Sequence, residues 1–359
     1  ALAARVWRDG VFQWFYLNHQ KGSNRRDYEF ELLWYDPDVA PEEPSARLPK
    51  GRRYTAYGAC VSSRSSWDPD VSHSVVCGKA GMETNHEHHD VGQLVIDGFG
   101  RRLIVDLGSP SGYPEDFFGP NRFRYYNASS HGHNVVTVAG REMSHDVSGS
   151  YAHAELGDAG GCWRVDLTPC YPGARTVSRG VVHLYPGIVA VVDDIGLPEP
   201  AETRLRWHPV SVPEVDDAGG FTAADGSAAV HACVIALVGR TPTVEHLEPT
   251  VGHHRYEPPF DKARSGEKLD QRHEPYLDYV VETDRVRFLS MFAVCRTDEE
   301  VTPWHYTSAG AGRRDNNGDG DMVYEITTGG TGYRVVLSRD ALLVTGVTEG
   351  TEVALPLPS

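Results

Sequence analysis

Residues 85–90 read Asn-His-Glu-His-His-Asp, which sets His86, His88 and Asp90 two residues apart. In an extended segment side chains two apart share one face, so two imidazoles and a carboxylate converge while Glu87 and His89 point the other way. Imidazole and carboxylate are ligands that zinc takes, and imidazole is the side chain that moves protons near neutral pH. The spacing therefore predicts a metal site or a proton-transfer site.

Such a site needs a scaffold that brings distant segments together. Residues 91–97, the turn Gly98-Phe99-Gly100 and residues 101–106 pattern as a β-hairpin. If Asp97 pairs with Arg101, Asp106 falls opposite Gly92, beside the strand end that carries His88 and Asp90. A second His-x-His pair, His131 and His133, leads into the apolar run 134–139. Zinc sites commonly use three protein ligands drawn from His and Asp/Glu, so His88, Asp106 and His133 suffice, with Asp90 orienting the strand end.

From about residue 54 short alternating or β-branched runs recur between Gly, Pro, Asn and Asp. They fall at 94–97, 102–106, 134–139, 151–156, 180–185, 188–193, 203–208, 229–237, 287–294, 322–327, 333–338 and 342–347. This pattern predicts a mainly β protein built on a large antiparallel β-sandwich. Residues 1 to about 36 are the helical part, and the prolines between 37 and 49 mark a linker. The expected division is 1–47 helical with linker, 48–295 a central sandwich carrying the metal site, and 296–359 a small C-terminal β-sheet domain. The polar segment 240–275, with His246, His253, His254 and His273, reads as a long loop.

A length of 359 residues suits two domains or one large sheet domain with an appendage. The net charge of -16 argues against broad electrostatic capture of nucleic acid, while Arg101, Arg102, Arg122 and Arg124 leave room for a local basic cleft. No apolar run approaches the roughly 18 residues of a membrane helix, and no membrane partner is expected. Six cysteines show no close metal spacing, and free thiols or disulfides both fit. The chain opens at Ala1 without an initiator Met or a basic-then-apolar leader, as a processed or excised piece would. Residues 315–321 resemble the opening of a calcium loop, but Ile326 stands where its last acid belongs, which favours a plain Asp/Gly-rich turn.

Five blocks then fall into a known order and spacing: Arg64-Ser65-Ser66-Trp67-Asp68-Pro69-Asp70, His86-Glu87-His88-His89-Asp90, Gly100-Arg101-Arg102-Leu103-Ile104-Val105-Asp106-Leu107-Gly108, Tyr125-Tyr126-Asn127-Ala128-Ser129-Ser130 and His133-Asn134-Val135-Val136. Together they resemble the C-terminal β-sheet region of the heparinase II/III-like polysaccharide lyase family, clearly over residues 54–140 and more loosely to Asp194. The resemblance implies an incomplete α/α toroid before the β-sandwich, with an acidic polysaccharide bound in the cleft between them. It implies that His86 is the catalytic histidine and that His88, Asp106 and His133 bind zinc. It also implies that most of the toroid lies outside this chain, with the tyrosine that relatives use in proton transfer, so a separate toroid segment becomes a partner. A secreted or periplasmic location follows from the resemblance alone.

Lyases of this kind cleave uronic-acid polymers by β-elimination: a base takes the C5 proton, an acid protonates the leaving oxygen at C4, and a double bond remains. The neighbouring carboxylate must be neutralised for the C5 proton to leave. His86 is either the base or a partner of that carboxylate. Arg122 and Arg124 are candidates for uronate or sulfate groups in forked geometry, and Trp67, Tyr125 and Tyr126 for stacking on sugar rings. Two other functions fit the residues: a non-catalytic carbohydrate-binding β-sandwich module, and a cupin-like metalloenzyme, against which Val91 and Gly92 stand where that family places a glutamate.

Overall fold

The computed structural model describes the chain except residues 20–29, 31–32, 57, 69–70, 72, 83–85, 109–115, 240–242, 256–272, 309–320 and 359. Two short helices, α1 (Leu2–Trp7) and α2 (Gly10–His19), open the chain. Three antiparallel sheets follow. The first orders β1 (Gly51–Arg53), β2 (Cys60–Arg64), β3 (Ser74–Lys79), β4 (Leu94–Gly98) and β5 (Arg101–Ile104) as a meander. The central sheet holds β6 (Val136–Val138), β7 (Ser150–Leu156), β8 (Gly160–Asp166), β9 (Thr176–Leu184), β10 (Ile188–Trp207), β11 (Glu214–Val215), β12 (Phe221–Asp225), β13 (Ala228–Val238), β14 (Thr243–His246), β15 (Thr250–Arg255) and β16 (His273–Arg296). The third runs through β17 (His305–Ser308), β18 (Met322–Thr328), β19 (Thr331–Leu337), β20 (Ala341–Gly346) and β21 (Thr351–Pro356). The expected mainly β architecture, with its N-terminal helical segment and small C-terminal sheet, is the one observed.

The central sheet is covered on both faces, and strand alternation divides its side chains between two cores. On β10, Val189 and Val191 join the core shared with the first sheet, while Ile188, Ala190 and Val192 join the core shared with the third. On β16, Phe288 and Phe292 face the first sheet and Leu289, Met291 and Ala293 face the third. Double burial explains why 287–294 is nearly unbroken in apolar residues where a half-exposed strand would alternate.

Two buried polar contacts interrupt this apolar packing. Arg179 and Asp193 are direct partners on β9 and β10 and form a forked ion pair, Nε to Oδ1 at 2.7 Å and Nη2 to Oδ2 at 3.0 Å. Both side chains are almost fully buried. The remaining nitrogen, Nη1, donates to the carbonyls of Gly92, at 2.8 Å, and Asn134. Nearby, the His183 ring on β9 bridges Ser63 and Ser74 of the first sheet, with Nδ1 and Nε2 at 2.9 and 2.7 Å from their hydroxyls. Ser74 Oγ donates to the Pro186 carbonyl, so it accepts from Nε2–H, and Ser63 donates to Nδ1. His183 is therefore neutral, and burial pushes its pKa down to about 3.

Strand boundaries depart from the sequence reading where packing overrides local pattern. The runs at 188–193 and 203–208 are one strand, β10, continued across Pro198 and Pro200 with a register irregularity between Gly196 and Ala201. The supposed loop 240–275 contains β14 and β15, which pair with β13 and β16, and the start of β16; its residues 240–242 and 256–272, and nearly all of the calcium-like run 315–321, lie outside the described residues. The 91–106 hairpin forms, but Gly98, not Asp97, pairs with Arg101, and an irregularity between Ile96 and Asp97 shifts the register again.

Replacing Arg179 with Met leaves Asp193 as a buried, unpaired charge and should cost about 3–5 kcal/mol of unfolding free energy in urea titrations. The double variant Arg179→Met/Asp193→Leu should recover part of it; a single-variant loss below about 1 kcal/mol would contradict this account. For His183, the unfolded chain takes up a proton near pH 6.5 while the native state stays neutral to about 3. Stability from this group is thus full above about pH 6.5 and lost as pH falls toward 3, at up to about 1.4 kcal/mol per unit. Unfolding titrations between pH 7 and 4 should give a shallower loss for His183→Gln, and an unchanged slope would refute the assignment.

Candidate metal centre

The segment from His86 to Gly92 is not a strand but a loop between β3 and β4, held at its Gly92 end by backbone hydrogen bonds. Gly92 N donates to Lys79 O at 2.8 Å, Lys79 N to Gln93 O at 3.0 Å, and Gln93 N to Asp90 O at 2.9 Å, closing a tight turn. Gly92 has φ +91, and a Cβ there would meet Leu167 Cδ1 at 2.9 Å, so glycine is required. His86 also has positive φ, 71°, a region that histidine enters more readily than most residues. The expected single face is thereby broken. Asp90 and His88 turn inward, Glu87 joins Asp90 on the Lys79 ammonium, and His86 is left exposed, its ring tilted against Phe118 with the centroids 4.7 Å apart.

Asp106, just past β5, reaches the same place. Its Oδ2 accepts from His133 Nδ1 at 3.1 Å and Gln93 Nε2 at 3.2 Å, and its Oδ1 accepts from Gly108 N at 2.7 Å. Ligand atoms of Asp90, Asp106 and His133 all lie within 4.8 Å of one another, the one such set of three His, Cys, Asp or Glu among the described residues. The His88 ring flanks this set, its centroid 5.3 Å from that of His133. Structure thus adds Asp90 to the core of the group and places His88 at its rim.

The electrostatics follow from burial and pairing. Burial opposes the Asp106 charge, but hydrogen bonds from His133 and Gly108 prevail and hold its carboxyl well below the usual range. Burial likewise opposes a charge on His133, and Asp106 with Asp90 prevails to raise its pKa. Burial dominates at Asp90, which is raised, and at His88, pushed down to about 4 with help from the positive charge of His133. His88 is therefore neutral near pH 7.

The remaining predicted residues divide. Arg122 lies 5.4 Å from the Phe118 centroid, the ring that His86 also touches, so His86 and Arg122 flank one aromatic. Arg124 is exposed at the end of the same 3-10 turn. The Tyr126 hydroxyl points inward, 3.0 Å from His208 Nε2 and 3.2 Å from Arg206 Nη1, and its ring is stacked by His254 at 3.7 Å. Trp67 is covered on one side by the Arg64 guanidinium at 3.9 Å and donates Nε1–H to the Leu48 and Pro49 carbonyls. It meets Phe15 of α2 edge-on, which makes it a joint between the helices and the sheets.

The residues suit zinc by chemistry and by one further observation. Two carboxylates and one imidazole, Asp90, Asp106 and His133, form the donor set with the His88 ring beside it, and His133 Nε2 is buried without a hydrogen-bond partner. Sequence reasoning missed the groups around the ligands: Lys79, Gln93, Asn134, Arg179 and His208. Gln93 did carry a signal, a polar residue set into the otherwise apolar run Val91 to Ile96, and Asn134 stands directly before the valine-rich stretch Val135 to Val138.

A family model for the heparinase II/III-like C-terminal domain matches residues 70–269, more than half of the chain. Among solved structures, the heparan sulfate lyase HepC from Pedobacter heparinus aligns with TM-score 0.65 at 13% identity, over 94% of this chain and 46% of its own. A heparinase III aligns with TM-score 0.55 at 14% identity, over 79% and 42% of the two chains, and another with 0.58 at 13%, over 81% and 42%. At these identities the likeness is one of fold, and the chain spans less than half the length of these structures. No curated protein matches the sequence. With the family model covering the loop of His86, the hairpin and His133 alike, the chain belongs to the heparinase II/III-like family and carries its C-terminal β-sheet domain.

Proposed function

We propose that this chain is the β-sheet part of a polysaccharide lyase that cleaves uronic-acid-containing polymers by β-elimination. The observation that carries the reading is the split made by the loop 86–92: a buried ligand group on one side and an exposed imidazole, His86, on the other. His86 acts at the sugar, as the base at C5 or as a partner of the uronate. Arg122, beside the same Phe118 ring, is placed to neutralise that carboxylate, with Arg124 next to it at the surface. Zinc held by His88, Asp106 and His133, with Asp90 against them, would fix the loop and disfavour a proton on His86. Heparan sulfate is one candidate polymer, by likeness to HepC.

The helices supply the second half of the reading. Leu2, Val6, Trp7, Phe12 and Leu17 expose large apolar side chains on α1 and α2, which fits packing against further helices such as the toroid of relatives. Because the chain spans under half of its structural neighbours, a carbohydrate-binding module is the second reading for the chain by itself.

Metal analysis of the purified protein should find about one zinc per chain, and much less in Asp106→Asn and His88→Ala. Zinc retained in full by these variants sinks the ligand assignment, and iron in its place revives the cupin-like reading. Incubated with heparan-sulfate-like and alginate-like polymers, the protein should generate the ultraviolet absorbance of a new C4=C5 double bond, slowed about 10²–10⁴-fold by His86→Ala. Binding without absorbance would establish the module instead.

A further inference from the structure

We propose that Gln93 is a positioning residue that sets the metal affinity of this site, an inference that rests on the metal reading above. The oxygen of its amide is taken by a backbone N–H, so Gln93 acts on the site through Asp106 and not as a ligand. It is 6% exposed and lies between the two loops that bring Asp106 and His133 together.

Each hydrogen bond around it has only one chemically allowed direction. The Asn134 amide N–H can only donate, and it lies 2.5 Å from Gln93 Oε1, so the other end of the Gln93 amide, Nε2, faces Asp106 Oδ2 and donates to it. Asn134 is fixed by the same logic. Its Nδ2 donates to the carbonyls of Leu94 and Val105, at 2.9 and 3.0 Å, so its Oδ1 accepts from His208 N and from His208 Nδ1–H. The Arg179 guanidinium then holds the carbonyls of Gly92 and Asn134, one residue before Gln93 and one after His133. Gln93 is thus clamped from both sides, and its amide cannot flip without placing Nε2 against a donor.

The consequence falls on Asp106. Its Oδ2 has two side-chain donors, His133 and Gln93; a metal ion taken by the unpartnered Nε2 of His133 leaves Nδ1–H on Asp106, so Gln93 is the one of the two that orients the carboxylate without being a ligand itself. Hydrogen bonds of this kind to ligating carboxylates are typically worth 10–100-fold in metal affinity.

The test is the zinc dissociation constant, measured by competition with a chromophoric chelator, alongside the thermal midpoint of the metal-free protein. Gln93→Met, matched in length but without hydrogen-bonding groups, should weaken zinc binding about 10–100-fold. Leu289→Ala, in the core shared with the third sheet, is the control: it lowers the midpoint and should leave zinc affinity within about twofold. If Gln93→Met fails to fold, Gln93→Asn carries the test, because it keeps the amide but is one methylene short of spanning both partners. Zinc affinity within about twofold of wild type in the Gln93 variants, or an equal loss in Leu289→Ala, overturns the proposal. Wild-type protein that takes up no zinc overturns the metal reading along with it, which separates the two failures.

Discussion

Arg179 sits where three requirements meet. Its charge is out of water and has to be balanced, which Asp193 does across the β9–β10 ladder. Two of its three remaining N–H donors, both on Nη1, go to the carbonyls of Gly92 and Asn134. Those two carbonyls belong to the segments that carry Asp90 and His133. A single buried guanidinium, under the Trp207 ring, therefore ties the loops of the candidate metal group in one layer to the middle of the next. A lysine could balance Asp193 but could not reach both carbonyls at once, because its one ammonium lacks the planar fork.

That anchoring makes sense only because the central sheet has no wet face near β9 and β10. Covered by the first sheet on one side and the third on the other, it cannot shift without repacking two cores. The third sheet supplies none of the side chains of the ligand group, yet by burying Ile188, Ala190 and Val192 it stiffens the strand that holds Asp193. Rigidity at the site is inherited from packing on the far side of the sheet.

What the sequence made legible follows from how local each signal is. Strand alternation and Gly/Asn/Asp punctuation located most strands, and the triplet spacing His-x-His-x-Asp pointed to the loop that brings Asp90 to Asp106 and His133. Pairing over long distances was not legible: Lys79, Gln93 and Arg179 sit 11, 13 and 14 residues from Asp90, Asp106 and Asp193, their charged or hydrogen-bonded partners. No periodicity encodes such contacts. The short strands β1, β2 and β3 escaped for a related reason, since Ser, Cys and Arg within them blur the alternation that burial would otherwise impose. Likewise β14 and β15 are exposed strands with polar residues, recognisable only through the partners that β13 and β16 provide.

The cluster itself shows why a period of two is an incomplete guide. Had residues 86–90 stayed extended, His86 would have shared a face with His88 and Asp90, and its imidazole would compete for the same buried position. The left-handed backbone at His86 removes it from that face, and the loop leaves it beside Phe118 at the surface. The same turn lets Glu87 reach back to Lys79, so that the positive charge beside Asp90 is shared with a second carboxylate. One non-glycine residue at positive φ thus separates an interior ligand group from an exterior imidazole two positions away. Strain of that kind persists only where surrounding contacts over-determine it. The Lys79 and Gln93 backbone pairs, the Gly92 turn and the Arg179 clamp fix the other end of the same loop.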